Sequence, residues 1–202
     1  MTRDLRVCFV GDSFVAGVGD PEHLGWTGRL CTASERSGLP VTRYELGVRR
    51  QTTAEVAERW WAECRVRLAG GEWEPRVVLS TGVNDTTEVD GASRLDPHES
   101  VAALAGMLAG AAGAGWPVLV VGPPVVADDA QNQRIADLDE RFARTCADHG
   151  VPYVPVAAAL AADPTWRAEV AAGDGAHPGS AGYALLADLV RPSWERWLSA
   201  AP

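Results

Sequence analysis

The segment VCFVGDSFVAG, residues 7–17, decides the fold of this chain. Four apolar residues form the end of a short buried strand, and the strand stops at Gly11. The small and glycine residues that follow predict a tight turn that presents Ser13 at the carboxyl end of this strand. In an open α/β sheet, ligands bind in the crevice beyond the strand ends, so this turn is a candidate functional site.

Strands and helices alternate along the sequence, which predicts an α/β fold with a parallel sheet between two layers of helices. Neither a repeat nor a linker interrupts this alternation, so we expect one domain spanning residues 1–202. We predict strands at residues 5–10, 41–46, 76–81, 117–121 and 151–155, and helices at residues 24–37, 52–68, 97–112, 130–149 and 180–199.

A serine hydroxyl becomes a good nucleophile only when a neutral, correctly oriented imidazole can accept its proton. His177, one of the four histidines, has an acid three residues before it, Asp174, within a loop rich in Gly and Pro. The chain order Ser, Asp, His is one of several in which a catalytic triad occurs. We therefore expect Ser13, His177 and Asp174 to be the nucleophile, the base and the orienting acid.

Asn84 follows a third apolar run, residues 77–79, and is expected at a strand end beside Ser13. From there its side-chain amide could donate a hydrogen bond to the negative oxygen of a tetrahedral intermediate, a contact worth about 3 kcal/mol in other hydrolases.

Three motifs in this order resemble those of the GDSL/SGNH hydrolase family: GDS at residues 11–13, GVND at 82–85 and DGAHP at 174–178. The resemblance covers most of the chain. It implies a flavodoxin-like, three-layer α/β/α fold with strand order 2-1-3-4-5, and activity on esters, thioesters and sometimes amides. It also implies an oxyanion hole formed by the Ser13 N–H, a backbone N–H from a further motif and the Asn84 amide.

The further motif is where this chain departs from the family pattern. The stretch ELGVRRQTT, residues 45–53, is similar to it, but Arg50 stands where the family usually has glycine, and Gly47 is the other candidate. Any residue except proline carries a backbone N–H, so we expect Arg50 to donate it. The side chains of Arg49 and Arg50 could face the cleft and favour an acidic substrate; we expect instead that they are solvated at the start of a helix.

Composition limits the other possibilities. The net charge of -9 argues against nucleic acid and anionic membrane surfaces as partners, since both need a basic face. No apolar signal segment precedes the first strand, which favours a cytoplasmic protein. The four cysteines are scattered without metal-ligand spacing, so we expect buried thiols and no metal. The glycines after the first strand fit neither a dinucleotide nor a P-loop pattern, and no cofactor is expected.

These observations predict a serine hydrolase that cleaves small, soluble carboxylic esters or thioesters through an acyl-enzyme. An acyltransferase or biosynthetic enzyme with a different acyl acceptor would share every catalytic residue, and a non-catalytic binding domain is a third alternative. We expect specificity to depend on the loops at residues 20–25, 88–97 and 125–130. The oligomeric state leaves no signal in the sequence.

Overall fold

A five-stranded parallel sheet forms the centre of the computed structural model, which describes residues 3–200. The strands lie in the order β2-β1-β3-β6-β7, which confirms the predicted order 2-1-3-4-5 for the sheet strands. A two-stranded antiparallel hairpin, β4 and β5, lies apart from the sheet. The strand bounds are β1 Leu5–Gly11, β2 Val41–Gly47, β3 Glu74–Ser80, β4 Glu88–Val89, β5 Ala92–Ser93, β6 Val118–Val121 and β7 Tyr153–Val154.

The helices cover both faces of the sheet and give the three-layer α/β/α architecture. Helix α2 begins with a capping box, in which the Thr52 hydroxyl accepts from the Glu55 N–H and the Glu55 carboxylate accepts from the Thr52 N–H. The helix bounds are α1 Gly25–Arg36, α2 Thr53–Leu68, α3 Pro97–Gly113, α4 Asp129–Asp148, α5 Ala157–Ala162, α6 Pro164–Ala172 and α7 Ser180–Ser199.

Successive side chains of β1 point to opposite faces of the sheet and contribute to both halves of the core. Val7 and Phe9 pack on the side of α1, α6 and α7, whereas Cys8 and Val10 pack on the side of α2 and α3. All four side chains are fully buried. A strand that is apolar on both faces is typical of the interior of a parallel sheet, and it holds the end of β1 in a fixed position.

The register brings the ends of three strands level at the same edge. Gly11 at the end of β1 lies opposite Gly47 of β2 and Ser80 of β3. The loops that follow these strands carry Ser13, Arg50 and Asn84, so the sheet itself brings these three residues together.

Several elements differ from the predicted ones. Helices α5 and α6 and the β4–β5 hairpin were not expected, because all are short and carry little periodic apolar pattern. The last strand is confined to Tyr153–Val154 rather than residues 151–155, since Pro152 and Pro155 have no N–H to donate to the sheet. None of the helices described is long and apolar enough to cross a membrane.

The four cysteines are free thiols. Cys8, Cys64 and Cys146 are buried as expected, but Cys31 is only half-buried. Burial raises the pKa of the Cys31 and Cys146 thiols to about 12, so both stay protonated at neutral pH.

Candidate active site

The turn after β1 holds Ser13 by hydrogen bonds within the turn itself. The Asp12 carboxylate accepts from the Phe14 N–H at 3.0 Å, and the Asp12 carbonyl accepts from the Ala16 N–H at 3.1 Å. The Ser13 carbonyl accepts from the Val18 N–H at 3.1 Å. Ser13 is buried in this turn, so its hydroxyl is restricted to a small space at the strand end.

The loop before α7 brings His177 to this serine across 164 positions of sequence. His177 Nε2 lies 2.7 Å from Ser13 Oγ, and His177 Nδ1 lies 2.7 Å from Asp174 Oδ2. The other Asp174 oxygen accepts from the N–H groups of Ala176 and His177 at 3.0 and 2.9 Å, which fixes the loop around the carboxylate. The Phe14 ring packs against the imidazole, with the ring centroids 4.9 Å apart.

The environment keeps Asp174 ionised. Burial opposes its ionisation, but hydrogen bonds from the His177 N–H, the imidazole and the Ala176 N–H outweigh burial and lower the pKa of the carboxyl to about 2. A permanent negative charge beside Nδ1 favours the tautomer with a proton on Nδ1. The Nε2 atom is then free to accept the serine proton.

The pKa of Asp12 is shifted in the opposite direction to that of Asp174. Burial and, to a lesser extent, the nearby Asp85 carboxylate outweigh the hydrogen bonds from Phe14 and Asn84 and raise the pKa of this carboxyl to about 7. Asp12 therefore titrates near neutral pH although it lies next to Ser13 in the chain.

The backbone N–H groups of Ser13 and of Arg50 have no acceptor among the described residues. Arg50 has a φ of 67°, in the left-handed region that favours glycine. Arg94 donates to the Arg50 carbonyl at 2.7 Å, which holds this peptide in place. Arg50 thus takes the backbone shape of a glycine at the position where the family usually has one.

Gly47 has a different role from Arg50. Its N–H already donates to the Glu45 carboxylate at 3.1 Å. A Cβ at this position would come within 2.6 Å of the Asp12 carbonyl oxygen and closer still to the Ala16 nitrogen. Glycine is needed here because β2 passes directly against the turn that carries Ser13.

The Asn84 side chain lies at the same strand ends, but its amide is already engaged. Its Nδ2 donates to the Gln51 carbonyl at 3.0 Å and to Asp12 Oδ2 at 3.3 Å. Asn84 therefore connects the β2–α2 loop to the turn that carries Ser13.

A cavity of about 420 Å³ opens beside Ser13 and His177. Of the three loops expected to shape specificity, only residues 125–130 contribute to it; residues 20–25 and 88–97 line none of it. Sequence reasoning missed Thr87 and Gln131, whose positions depend on how α4 packs. The remaining lining is Phe14, Arg49, Arg50, Val83, Asn84, Val126, Asp128, Asp174, Gly175 and Ala176.

Within residues 3–200, no three His, Cys, Asp or Glu side chains are grouped as metal ligands. The chemistry available at the described site is that of a hydroxyl, an imidazole, a carboxylate and hydrogen-bond donors. Such a set suits acyl transfer, in which charge develops on one oxygen atom.

Several solved structures share this fold. A lipase/acylhydrolase from Enterococcus faecalis has a TM-score of 0.73 at 21% identity, with 95% of this chain and 96% of that chain covered. The esterase EstA from Pseudoalteromonas sp. has a TM-score of 0.73 at 16% identity, covering 98% and 100%. A W215I variant of Axe2, an acetyl xylan esterase from Geobacillus stearothermophilus, has a TM-score of 0.76 at 15% identity, covering 98% and 97%.

Comparison with curated proteins found no match. The GDSL-like lipase/acylhydrolase family, in contrast, matches residues 9–185. This range extends from the strand before Ser13 past the loop of His177, and so includes all three motifs that carry the resemblance. The chain therefore belongs to the GDSL-like lipase/acylhydrolase family and is an ester hydrolase.

Proposed function

We propose that the chain hydrolyses small, soluble carboxylic esters or thioesters through a Ser13–His177–Asp174 triad and an acyl-enzyme. The observation that carries this proposal is the continuous chain of contacts from Ser13 Oγ through the imidazole to Asp174, with both links at 2.7 Å. These distances are within the reach that proton transfer requires.

In the first step, Ser13 Oγ attacks the ester carbonyl carbon while His177 Nε2 takes the hydroxyl proton. Asp174 stabilises the imidazolium that forms and keeps its orientation. The tetrahedral intermediate then collapses: the bond to the leaving oxygen breaks, and His177 gives its proton to that oxygen. The product is an alcohol and an ester of Ser13.

In the second step, a water molecule takes the place of the alcohol. His177 accepts one of its protons as the water oxygen attacks the acyl carbon. The bond to Ser13 Oγ then breaks, and the same proton returns to the serine. The acid is released, and the enzyme is restored.

The oxyanion of each tetrahedral intermediate would be held by the Ser13 N–H, the Arg50 N–H and the Asn84 amide. The two backbone groups are suited to this because no protein acceptor engages them. Asn84 would exchange its longer contact, the one to Asp12 at 3.3 Å, for the substrate oxygen and keep the one to Gln51. Gly47 is unsuited, since its N–H is engaged by Glu45.

A cavity of about 420 Å³ suits a small substrate. One of the fold neighbours is named as an acetyl xylan esterase, and the acetyl group in that name is an example of a short acyl chain. Transfer of the acyl group to an acceptor other than water would use the same residues, and identification of the products distinguishes the two reactions. We further propose a single domain, a cytoplasmic location, and function without a cofactor or nucleic acid.

The test is labelling by a fluorophosphonate probe, followed by intact mass and peptide mapping. We expect one adduct, on Ser13, that is absent from Ser13→Ala. The control is Ser199→Ala, which removes an exposed hydroxyl at the end of α7 and should label like the wild type. An adduct on another residue, ester hydrolysis retained in Ser13→Ala, or no adduct on folded protein would refute the triad.

A further inference from the structure

We propose that the substrate is an ester that carries a carboxylate or a similar anionic group, bound by Arg49 and Arg50. The inference rests on the proposed function, because it names the substrate class of that site. Both residues lie in the loop between β2 and α2, both are exposed, and both line the cavity that contains Ser13 and His177.

Neither guanidinium has a partner within the described residues, whether a carboxylate within 4.0 Å or a hydrogen-bond acceptor. Two arginines nearby are paired: Arg59 with Glu63 at 3.0 Å, and Arg94 with Glu55 at 3.5 Å. The cavity is therefore lined by two arginines whose charges no side chain of the described residues neutralises.

The lining of the cavity is less negative than the chain as a whole. Apart from the triad, its charged lining residues are Arg49, Arg50 and Asp128. Asp128 caps α4, where its carboxylate accepts from the Gln131 N–H at 2.9 Å. With the ionised Asp174 included, the two arginines and the two carboxylates of the lining balance, although the chain carries -9 overall.

The backbone of Arg50 is a separate indication. Its φ of 67° disfavours any residue that has a Cβ, and glycine would adopt it without strain. Strained residues of this kind are concentrated at functional sites, where the side chain or the geometry is required. The oxyanion hole needs only the backbone N–H, which glycine also has, so the arginine side chain points to a second role.

The chemistry of the side chains indicates the ligand. A guanidinium presents a planar set of donors that fits the two oxygens of a carboxylate. The ester oxygen would bind the Arg50 N–H, so the side chains of Arg49 and Arg50 start next to the reacting carbonyl. A carboxylate a few carbon atoms from that carbonyl would be within their range.

The experiment compares two matched pairs of esters with the purified enzyme. Mono-4-nitrophenyl glutarate and 4-nitrophenyl pentanoate have acyl groups of equal length, with and without a carboxylate. The pair 4-acetoxybenzoate and methyl 4-acetoxybenzoate places the charge on the leaving group instead. The first pair tests an anionic acyl group, and the second tests an anionic alcohol.

We expect the anionic member of one pair to have the higher kcat/KM. Arg49→Gln and Arg50→Gln should each lower the ratio of kcat/KM between that anionic ester and its neutral partner about fivefold, as expected for one solvent-exposed ion pair. Arg49→Lys should keep part of the preference, and 0.5 M NaCl should reduce it. The control is Arg65→Gln, which removes an exposed arginine of α2 that does not line the cavity and should leave the ratio unchanged.

If the ratio of kcat/KM between anionic and neutral esters were the same in wild type and in the Arg49→Gln/Arg50→Gln double variant, the inference would be overturned. The proposal of ester hydrolysis would not be affected by that result. The same fall in Arg65→Gln would overturn it as well, because a general charge effect would then explain the preference. If no ester is turned over but Ser13 still reacts with the fluorophosphonate, the inference is tested by how well added ligands protect Ser13 from labelling. Glutarate should slow labelling of wild type more than pentanamide does, and equal protection overturns the inference. Neither turnover nor labelling would refute both proposals.

Discussion

The stability of the protein should depend on pH through one buried carboxyl, Asp12. Its side chain is in a residue only 1% exposed. Burial raises its pKa from 3.8 to about 7. A folded-state pKa above the unfolded value means that the folded protein holds the proton over a pH range in which the unfolded chain releases it. Asp12 therefore contributes most to stability at acid pH, and that contribution is lost as the pH rises from about 4 to about 7.

The shift sets the size of the effect. Three pH units between the two pKa values correspond to about 4 kcal/mol of unfolding free energy between the acid and alkaline limits. Between pH 5 and pH 8, where most folded proteins can be studied, the loss is about 3 kcal/mol. This is a large fraction of the 5–15 kcal/mol that is typical for a folded domain.

Asp12→Asn isolates this contribution because asparagine resembles the protonated acid in shape and does not titrate. Its side-chain oxygen can still accept from the Phe14 N–H, and whatever it loses at Asn84 is the same at every pH. The unfolding free energy of the variant minus that of the wild type should therefore rise by about 3 kcal/mol from pH 5 to pH 8.

The assay is urea unfolding at pH 5, 6, 7 and 8, followed by the fluorescence of the eight tryptophans. The control is Asp148→Asn, which removes an exposed carboxylate. Its unfolding free energy should differ from that of wild type by the same amount at each pH. The prediction for Asp12 would be contradicted if the difference in unfolding free energy between Asp12→Asn and wild type were the same at every pH. It would also be contradicted if wild type became more stable relative to the variant as the pH rises.

Three further substitutions test the supports of the site, each by urea unfolding and ester hydrolysis. Gly47→Ala should destabilise the protein by at least about 2 kcal/mol and impair hydrolysis, because the new methyl group would meet the backbone of the turn that carries Ser13. A near-wild-type urea midpoint would contradict this. Thr52→Ala removes the cap of α2 and should cost about 1 kcal/mol, which Thr52→Ser should restore. Asp20→Asn should cost about 2 kcal/mol, since this buried carboxylate accepts hydrogen bonds from Arg29 and from Ser180 at the start of α7; an unchanged midpoint would show that neutral asparagine suffices.

Much of the site could be predicted from the sequence because its features are local. Asp174 and His177 are three residues apart on one loop, so their pairing needs no distant contact. Ser13 follows an apolar run that ends at a glycine, and this predicts a strand and a turn wherever the strand lies. The capping pair of Thr52 and Glu55 is likewise contained within one turn of helix.

The sequence favours Arg50 over Gly47 as the second backbone donor, through its position in the motif, but the physical basis of that choice is tertiary. The φ of Arg50 and the acceptor that Glu45 provides for Gly47 are both set by how β2 packs against the turn that carries Ser13. The structure leaves the N–H of Arg50 free, whereas the N–H of Gly47 is engaged. The two arginines in the cavity are a similar case, because an exposed arginine at a helix start looks the same in sequence whether or not a cleft lies beside it.

The sequence by itself indicated the strand order through family resemblance, the α/β class through alternation, and Ser13, Asp174 and His177 as the candidate triad through short motifs. The tertiary structure decided which N–H groups lack acceptors, what the Asn84 amide contacts, which loops line the cavity, and that Asp12 titrates near neutral pH. The physical reason is the range of the interactions: hydrogen bonds within a turn depend on neighbouring residues. Burial and unpaired donors depend on residues brought together from strands and loops far apart in the chain.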